Sequence, residues 1–156
     1  MNKVFESEHL IRFQDCDPFN HLNNARYIDY FMNAREDHLE KYLNFRIYEE
    51  AAKTGRSWVV TQNQIAYFRP ANLMEKVVID STLVQLGKKH IVVELNMWNA
   101  DKSQRKSILW VRFTHYDLSL QKSAEHSETL NRQFSPYVNN EITASNFEDR
   151  LKELAR

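Results

Sequence analysis

The sequence predicts an α+β domain in which one long helix packs on an antiparallel sheet of about five strands. From Asn24 to Leu43 there is no Gly or Pro, and Ile28, Phe31, Arg35, Leu39 and Tyr42 recur at helical spacing. After Gly55 the period changes, and four segments rich in β-branched and aromatic residues follow one another with short breaks between them. A further period-2 segment precedes the helix.

That first segment, residues 4 to 13, is expected to be a strand with Phe5, Ile11 and Phe13 on its inward side. Gln14 to Asn23 is polar and holds Asp15, Asp17, Pro18, Asn20 and Asn23, residues suited to turns and caps rather than to element interiors. The helix that follows would be about 28 Å long at ~1.5 Å per residue, with its apolar stripe on the sheet. Arg35-Glu36-Asp37 and Glu40-Lys41 are expected on its solvated face. A short helical turn at Ile47 to Lys53 ends at Gly55. Strands are then expected at Ser57–Arg69, Lys76–Leu86, Lys89–Asn99 and Arg105–Tyr116, with breaks at Pro70 to Asn72, at Gly87 and at Asn99 to Gln104. Short connections make these neighbours antiparallel. Trp58, Trp98 and Trp110 fall within them and are expected to pack in the sheet, while His115 and Tyr116 close the last one. From Ser119 the pattern fades. Residues 1–118 are therefore taken as the domain, and 119–156 as a C-terminal extension. The extension is partly helical, with Phe147, Leu151 and Leu154 along one side of Asn146–Arg156, and is not a separate domain.

Bulk properties exclude several kinds of chemistry. With 21 basic and 21 acidic residues there is no global field to draw nucleic acid or an anionic membrane. A hydrophobic fraction of 42% with 12% aromatics supplies a core for one domain of 156 residues. Cys16 is the only cysteine, which leaves no disulfide framework and points to a reducing compartment. Charged residues before Glu8 and the lack of any membrane-length apolar run make the cytoplasm the expected location. Two glycines, Gly55 and Gly87, cannot build a phosphate loop, a dinucleotide fingerprint or a nucleophile elbow. The six histidines show no metal-ligand spacing, so no metal site is expected.

The stretch most suited to chemistry is Asp15-Cys16-Asp17-Pro18-Phe19-Asn20-His21-Leu22-Asn23-Asn24-Ala25-Arg26-Tyr27, between the first strand and the helix start. A free aspartate is ionised at neutral pH, so Asp17 can act as base or nucleophile. The helix start offers unpaired N–H groups and a positive dipole end to a developing oxyanion. The same residues would also serve as an ordinary turn and N-cap.

Phe13-Gln14-Asp15-Cys16-Asp17-Pro18, with the Ala25 to Phe31 helix seven residues beyond Pro18, resembles the active-site segment of 4-hydroxybenzoyl-CoA thioesterases. His21-Leu22-Asn23-Asn24-Ala25-Arg26-Tyr27 is similar to the H-x-N-N-x-x-Y string of acyl-CoA and acyl-ACP thioesterases in the same hotdog superfamily. Ile65-Ala66-Tyr67-Phe68-Arg69-Pro70-Ala71 and the Gly87-Lys88-Lys89 turn fit as well, and the likeness spans residues 4 to 117. It implies a hotdog fold and hydrolysis of an acyl-CoA or related thioester with no cofactor. Asp17 would be the catalytic carboxylate and Asn24 the backbone oxyanion donor, with His21 catalytic, orienting or structural. Lys88 and Lys89 would meet the CoA phosphates. It also implies a homodimer or homotetramer with the site between protomers. Two positions depart from the family pattern: Asn20 stands where many relatives have Gly, and Phe19 stands where the acyl-ACP branch has Asn. A hotdog module that binds acyl-CoA or acyl carrier protein without turnover is the alternative, as is an acyl-ACP thioesterase.

Overall fold

The computed structural model describes residues 1–155. Along the chain come β1 (Val4–Leu10), α1 (Tyr27–Leu43), α2 (Ile47–Thr54), β2 (Arg56–Tyr67), β3 (Lys76–Leu86), β4 (His90–Asn99), β5 (Arg105–Asp117), β6 (Lys122–Ser123), α3 (Glu128–Phe134) and α4 (Phe147–Leu154). The sheet runs β1, β3, β4, β5, β2 with all neighbours antiparallel, and the two-residue β6 adds to β5. This is the expected α+β architecture, a hotdog fold in which a curled antiparallel sheet packs against one long helix.

Side-chain alternation sorts each strand between two faces. Val77 and Ile79, then Ile91, Val93, Leu95 and Met97, then Leu109, Val111 and Phe113 meet Tyr27, Phe31 and Ala34 of α1 in the main core. A bulge between Leu83 and Gln85 changes the phase of β3. Leu83 and Leu86, three apart, therefore both pack on that core.

The opposite face is covered by the C-terminal segment. Val84, Val92, Ile108 and Trp110 pack with Ala144 and Phe147, backed by Leu151 and Leu154. Residues 142–154 thus form a further layer over the sheet, while Phe134 and Tyr137, earlier in the same segment, pack on the α1 side against Phe45, Trp58 and Phe5. Asn146 caps α4 by accepting from the Asp149 N–H at 2.9 Å. Arg156 lies outside the described residues.

Three expectations are corrected. β1 stops at Leu10, and Phe13 sits in a 3-10 turn (Phe13–Asp15) with its ring 78% exposed, not on the inward face. α1 begins at Tyr27 because Asn24–Arg26 forms a tighter 3-10 turn, started by the Asn23 side chain accepting from the Ala25 N–H at 3.0 Å. Arg35 is not on the solvated face with Glu36 and Asp37: it is buried, its guanidinium 4.0 Å from the Phe113 ring centroid. The reason is phase. Arg35 lies four residues from both Phe31 and Leu39 and so shares their stripe.

Candidate active site

The loop between β1 and α1 is tied into a closed neck by its own backbone. Asn23 N–H donates to Asp15 O at 2.9 Å, Asp17 N–H to His21 O at 2.8 Å, and Leu22 N–H to Ala71 O at 2.8 Å. Asn20 N–H donates to Asp17 O at 3.1 Å, and Asn20 O accepts from Leu73 N–H at 2.8 Å. Asn20 sits at φ 62, the left-handed region that Gly enters freely and Asn enters more readily than most residues. The departure from Gly at this position therefore leaves the turn intact.

Within this neck the two aspartates have different surroundings. Oδ2 of Asp15 accepts the Tyr30 hydroxyl at 2.6 Å, and the same hydroxyl oxygen accepts from Arg12 N–H at 3.1 Å. Burial, then the bond to Asp15, pushes the Tyr30 phenol up to about 12, so it remains a donor. Asp17 is half-buried, and its Oδ1 accepts from Phe19 N–H at 2.9 Å and from His21 N–H at 3.2 Å. Its Oδ2 has no hydrogen-bond partner among the described residues. Between them, burial and then the charges of Asp17 and Asp15 raise the Cys16 thiol. Cys16 is therefore poorly suited to supply a thiolate.

Asn24 opens the helix on the far strand of the neck. Its carbonyl accepts the Tyr67 hydroxyl at 3.0 Å, and the Tyr27 hydroxyl accepts from Ala71 N–H at 3.2 Å. The Asn24 N–H has no partner among the described residues. Since Asn23 is bonded to Asp15, this N–H is held beside the segment that carries Asp17. The structure thus brings Asp17, His21 and Asn24 onto one small loop. The His21 ring makes no hydrogen bond among the described residues; its backbone serves the turn.

Lys88 and Lys89 lie elsewhere. Their turn follows the far end of β3, whose first residue sits beside the Asn72–Glu75 segment that touches the loop. Ten residue steps of strand put roughly 30 Å between the two ends. Sequence reasoning missed Tyr30, Tyr67 and Arg35. For Arg35 the signal was present, since its place on the apolar stripe outweighs its two acidic neighbours.

The family model of the thioesterase-like superfamily matches residues 11–134. The chain belongs to the thioesterase-like superfamily. Together with its thioesterase relatives, this makes it a thioester hydrolase. A long-chain acyl-CoA thioesterase, FadM of Escherichia coli K12, is 30% identical over 113 residues, covering 72% of this chain and 83% of that one. The crystal structure of YbaW, a probable thioesterase from Escherichia coli, matches with TM-score 0.74 at 26% identity, over 86% of this chain and 98% of that one. A Staphylococcus aureus protein solved in complex with CoA shares the fold at TM-score 0.80 and 15% identity, over 93% and 90% of the two chains. No helix among the described residues of this thioesterase-family chain is long and apolar enough to cross a membrane.

Proposed function

We propose that this thioesterase acts on acyl-CoA, with the Asp17 carboxylate attacking the thioester carbonyl or activating water against it. The Asn24 N–H receives the carbonyl oxygen as charge develops there. The observation that carries this reading is the pair of open valences on one loop neck, Asp17 Oδ2 and Asn24 N–H, beside an Asp15 already committed to Tyr30. A fixed donor at the position of the developing oxyanion is worth more than one that must reorganise. Exposed apolar side chains at Phe13, Phe19, Phe68 and Met74 surround the neck on segments joined to it, and they are suited to an acyl chain or a second copy. His21 would orient substrate from the same loop.

The carrier reading rests on the FadM likeness and on Lys88-Lys89. Because one protomer separates these lysines from Asp17 by roughly 30 Å, they would serve the same substrate from a second copy of the chain. Replacing both with Ala is expected to raise KM for acyl-CoA and to leave the matching acyl-pantetheine nearly unchanged. An equal loss on both substrates overturns the phosphate role.

The mechanistic test is Asp17→Asn. Asparagine keeps an Oδ1 that can accept from the Phe19 and His21 N–H groups, so the loop should survive. It replaces only the free oxygen. The expected result is a fall in kcat/KM on the order of 10²- to 10⁴-fold, with unchanged thermal unfolding. Turnover like wild type would remove Asp17 from the mechanism. Binding of acyl-CoA by the wild type with no thiol release would instead indicate a binding module.

A further inference from the structure

Beneath the C-terminal half of α1 lies a cavity of about 60 Å³, walled by Leu39, Trp58, Ile91, Phe134 and Tyr137 among others. It is mostly apolar, and the C-terminal segment supplies part of its wall through Phe134 and Tyr137. Five polar side chains reach it: Lys3, Arg35, His38, Ser81 and Thr82. Four have partners. Lys3 Nζ donates to Val138 O at 2.9 Å, and Thr82 Oγ1 donates to Lys3 O at 2.7 Å. His38 bonds Ser81 Oγ at 2.7 Å and Ser7 Oγ at 2.8 Å.

Arg35 is the exception. It is 93% buried (7% exposed) and stacks on Phe113, yet it makes no ion pair or hydrogen bond among the described residues. A guanidinium carries five donors in a planar fork, and a buried charge without a counter-ion is costly. Here that fork lines a void with space for about four water-sized groups. The guanidinium fork matches carboxylate and phosphate alike, but with Lys3 Nζ already given to Val138 O it balances the single charge of a carboxylate rather than the two of a phosphate.

We propose that this cavity is a binding site for a carboxylate on an apolar body, seated carboxylate first against Arg35. Two sources share that chemistry. One is a free carboxylic acid, the product class of thioester hydrolysis. The other is the distal carboxylate of a dicarboxylic acyl thioester. Its reacting end would lie at Asn24, eleven residues and roughly 16 Å back along the helix axis. Only the second source rests on the acyl-thioesterase reading.

The test begins with the wild-type protein, titrated with propanoate and with propanol, which suit the size of the void, by calorimetry and by tryptophan fluorescence, since Trp58 lines the cavity. Propanoate is expected to bind on the order of 10- to 100-fold more tightly than propanol, the range for a charged hydrogen-bonded pair. Arg35→Met should abolish that preference while keeping propanol binding, and Arg35→Lys should keep part of it. Equal binding of acid and alcohol by the wild type, or of neither, would overturn the site and leave Arg35 with water alone. A second arm compares a dicarboxylic acyl-CoA long enough to span the distance from Asn24 to Arg35 with the monocarboxylic acyl-CoA of the same chain length. A higher kcat/KM for the first, lost in Arg35→Met, supports the site and assigns it to substrate. Equal kcat/KM with propanoate binding retained supports it and assigns it to the free acid. The titration stands whether or not any thioester is turned over.

Discussion

Asp15 and Asp17 are the same residue two positions apart, and their neighbours give them different work. The Tyr30 hydroxyl closes on Asp15 and ties α1 to the loop, whereas Asp17 keeps an oxygen open. Tyr30→Phe should therefore cost mainly stability, about 1–3 kcal/mol for a lost bond to a charged partner. Asp17→Asn should cost mainly turnover. Thermal unfolding measured beside kcat/KM on both variants separates the two, and a Tyr30→Phe protein as stable as wild type would remove the brace. The family pattern singled out Asp17, but which of the pair was braced depended on Tyr30, which meets Asp15 only once the helix is laid down. His38 shows what burial beside other cationic groups does to a titrating group. Desolvation first, then the charges of His9 and Lys41, draws it down to about 4 from the ordinary 6.5. A depressed histidine binds fewer protons folded than unfolded. Its stabilisation is thus complete above about 6.5 and is lost as pH falls toward about 4. The loss attributable to His38 should be on the order of 3 kcal/mol across that window. His38→Gln should unfold with a shallower acid dependence than wild type, and identical pH profiles would exclude His38 as the source.

At the scale of elements, α4 is bound to the sheet by charge as well as by apolar contact. Glu94, on the outer face of β4, accepts from Arg150 Nε at 2.7 Å and Nη2 at 3.0 Å, and from Trp110 Nε1 at 2.8 Å. Burial would raise this carboxyl, but Arg150, Trp110 and Asn96 outweigh it and hold it below the usual range. Arg150→Met leaves Glu94 buried without its counter-charge, a change expected to cost about 3–5 kcal/mol. It should loosen α4 and expose Phe147 and Trp110, seen as a lower Tm and altered tryptophan fluorescence. An unchanged Tm would mean that apolar contacts alone hold the extension. The strands and α1 were legible in the sequence because their periods repeat over long windows. Phe147, Leu151 and Leu154 marked α4 as amphipathic, but nothing local said which surface their side would meet. The partners are Val92, Ile108 and Trp110, the outward half of strands whose inward half had already satisfied the pattern. Phe13 failed for the opposite reason. Period-2 alternation counted it inward, but the chain turns after Ile11, where Ile11 N–H bonds Glu75 O at 3.0 Å.

For the molecule as a whole, the two ends of the sheet are not alike. β1 is guarded by α1: the Tyr42 hydroxyl donates to Glu6 O at 3.0 Å, and Ser7 bonds His38. β2 has no strand on its outer side among the described residues. It is 12 residues long, and between Ser57 and Tyr67 it carries no charge. Val59 and Val60 are exposed at its middle, 39% and 47%. Proteins blunt such an edge with short strands, lysines, prolines or bulges, and of these the strand has only an irregularity between Val60 and Gln62. An isologous partner would pair β2 with its own copy and continue the sheet across a two-fold axis. The same pairing gives a second copy the opportunity to cover the apolar side chains around the Asp17 loop. The chain is therefore expected to run as a dimer or larger in light scattering at micromolar concentration. Val60→Lys would place like charges near each other across that axis, and it should shift the protein to a monomer with little change in the fold by circular dichroism. If the site needs the second copy, the monomer should also lose most of its turnover. A wild-type monomer, or a Val60→Lys protein that remains a dimer, would move the interface away from β2.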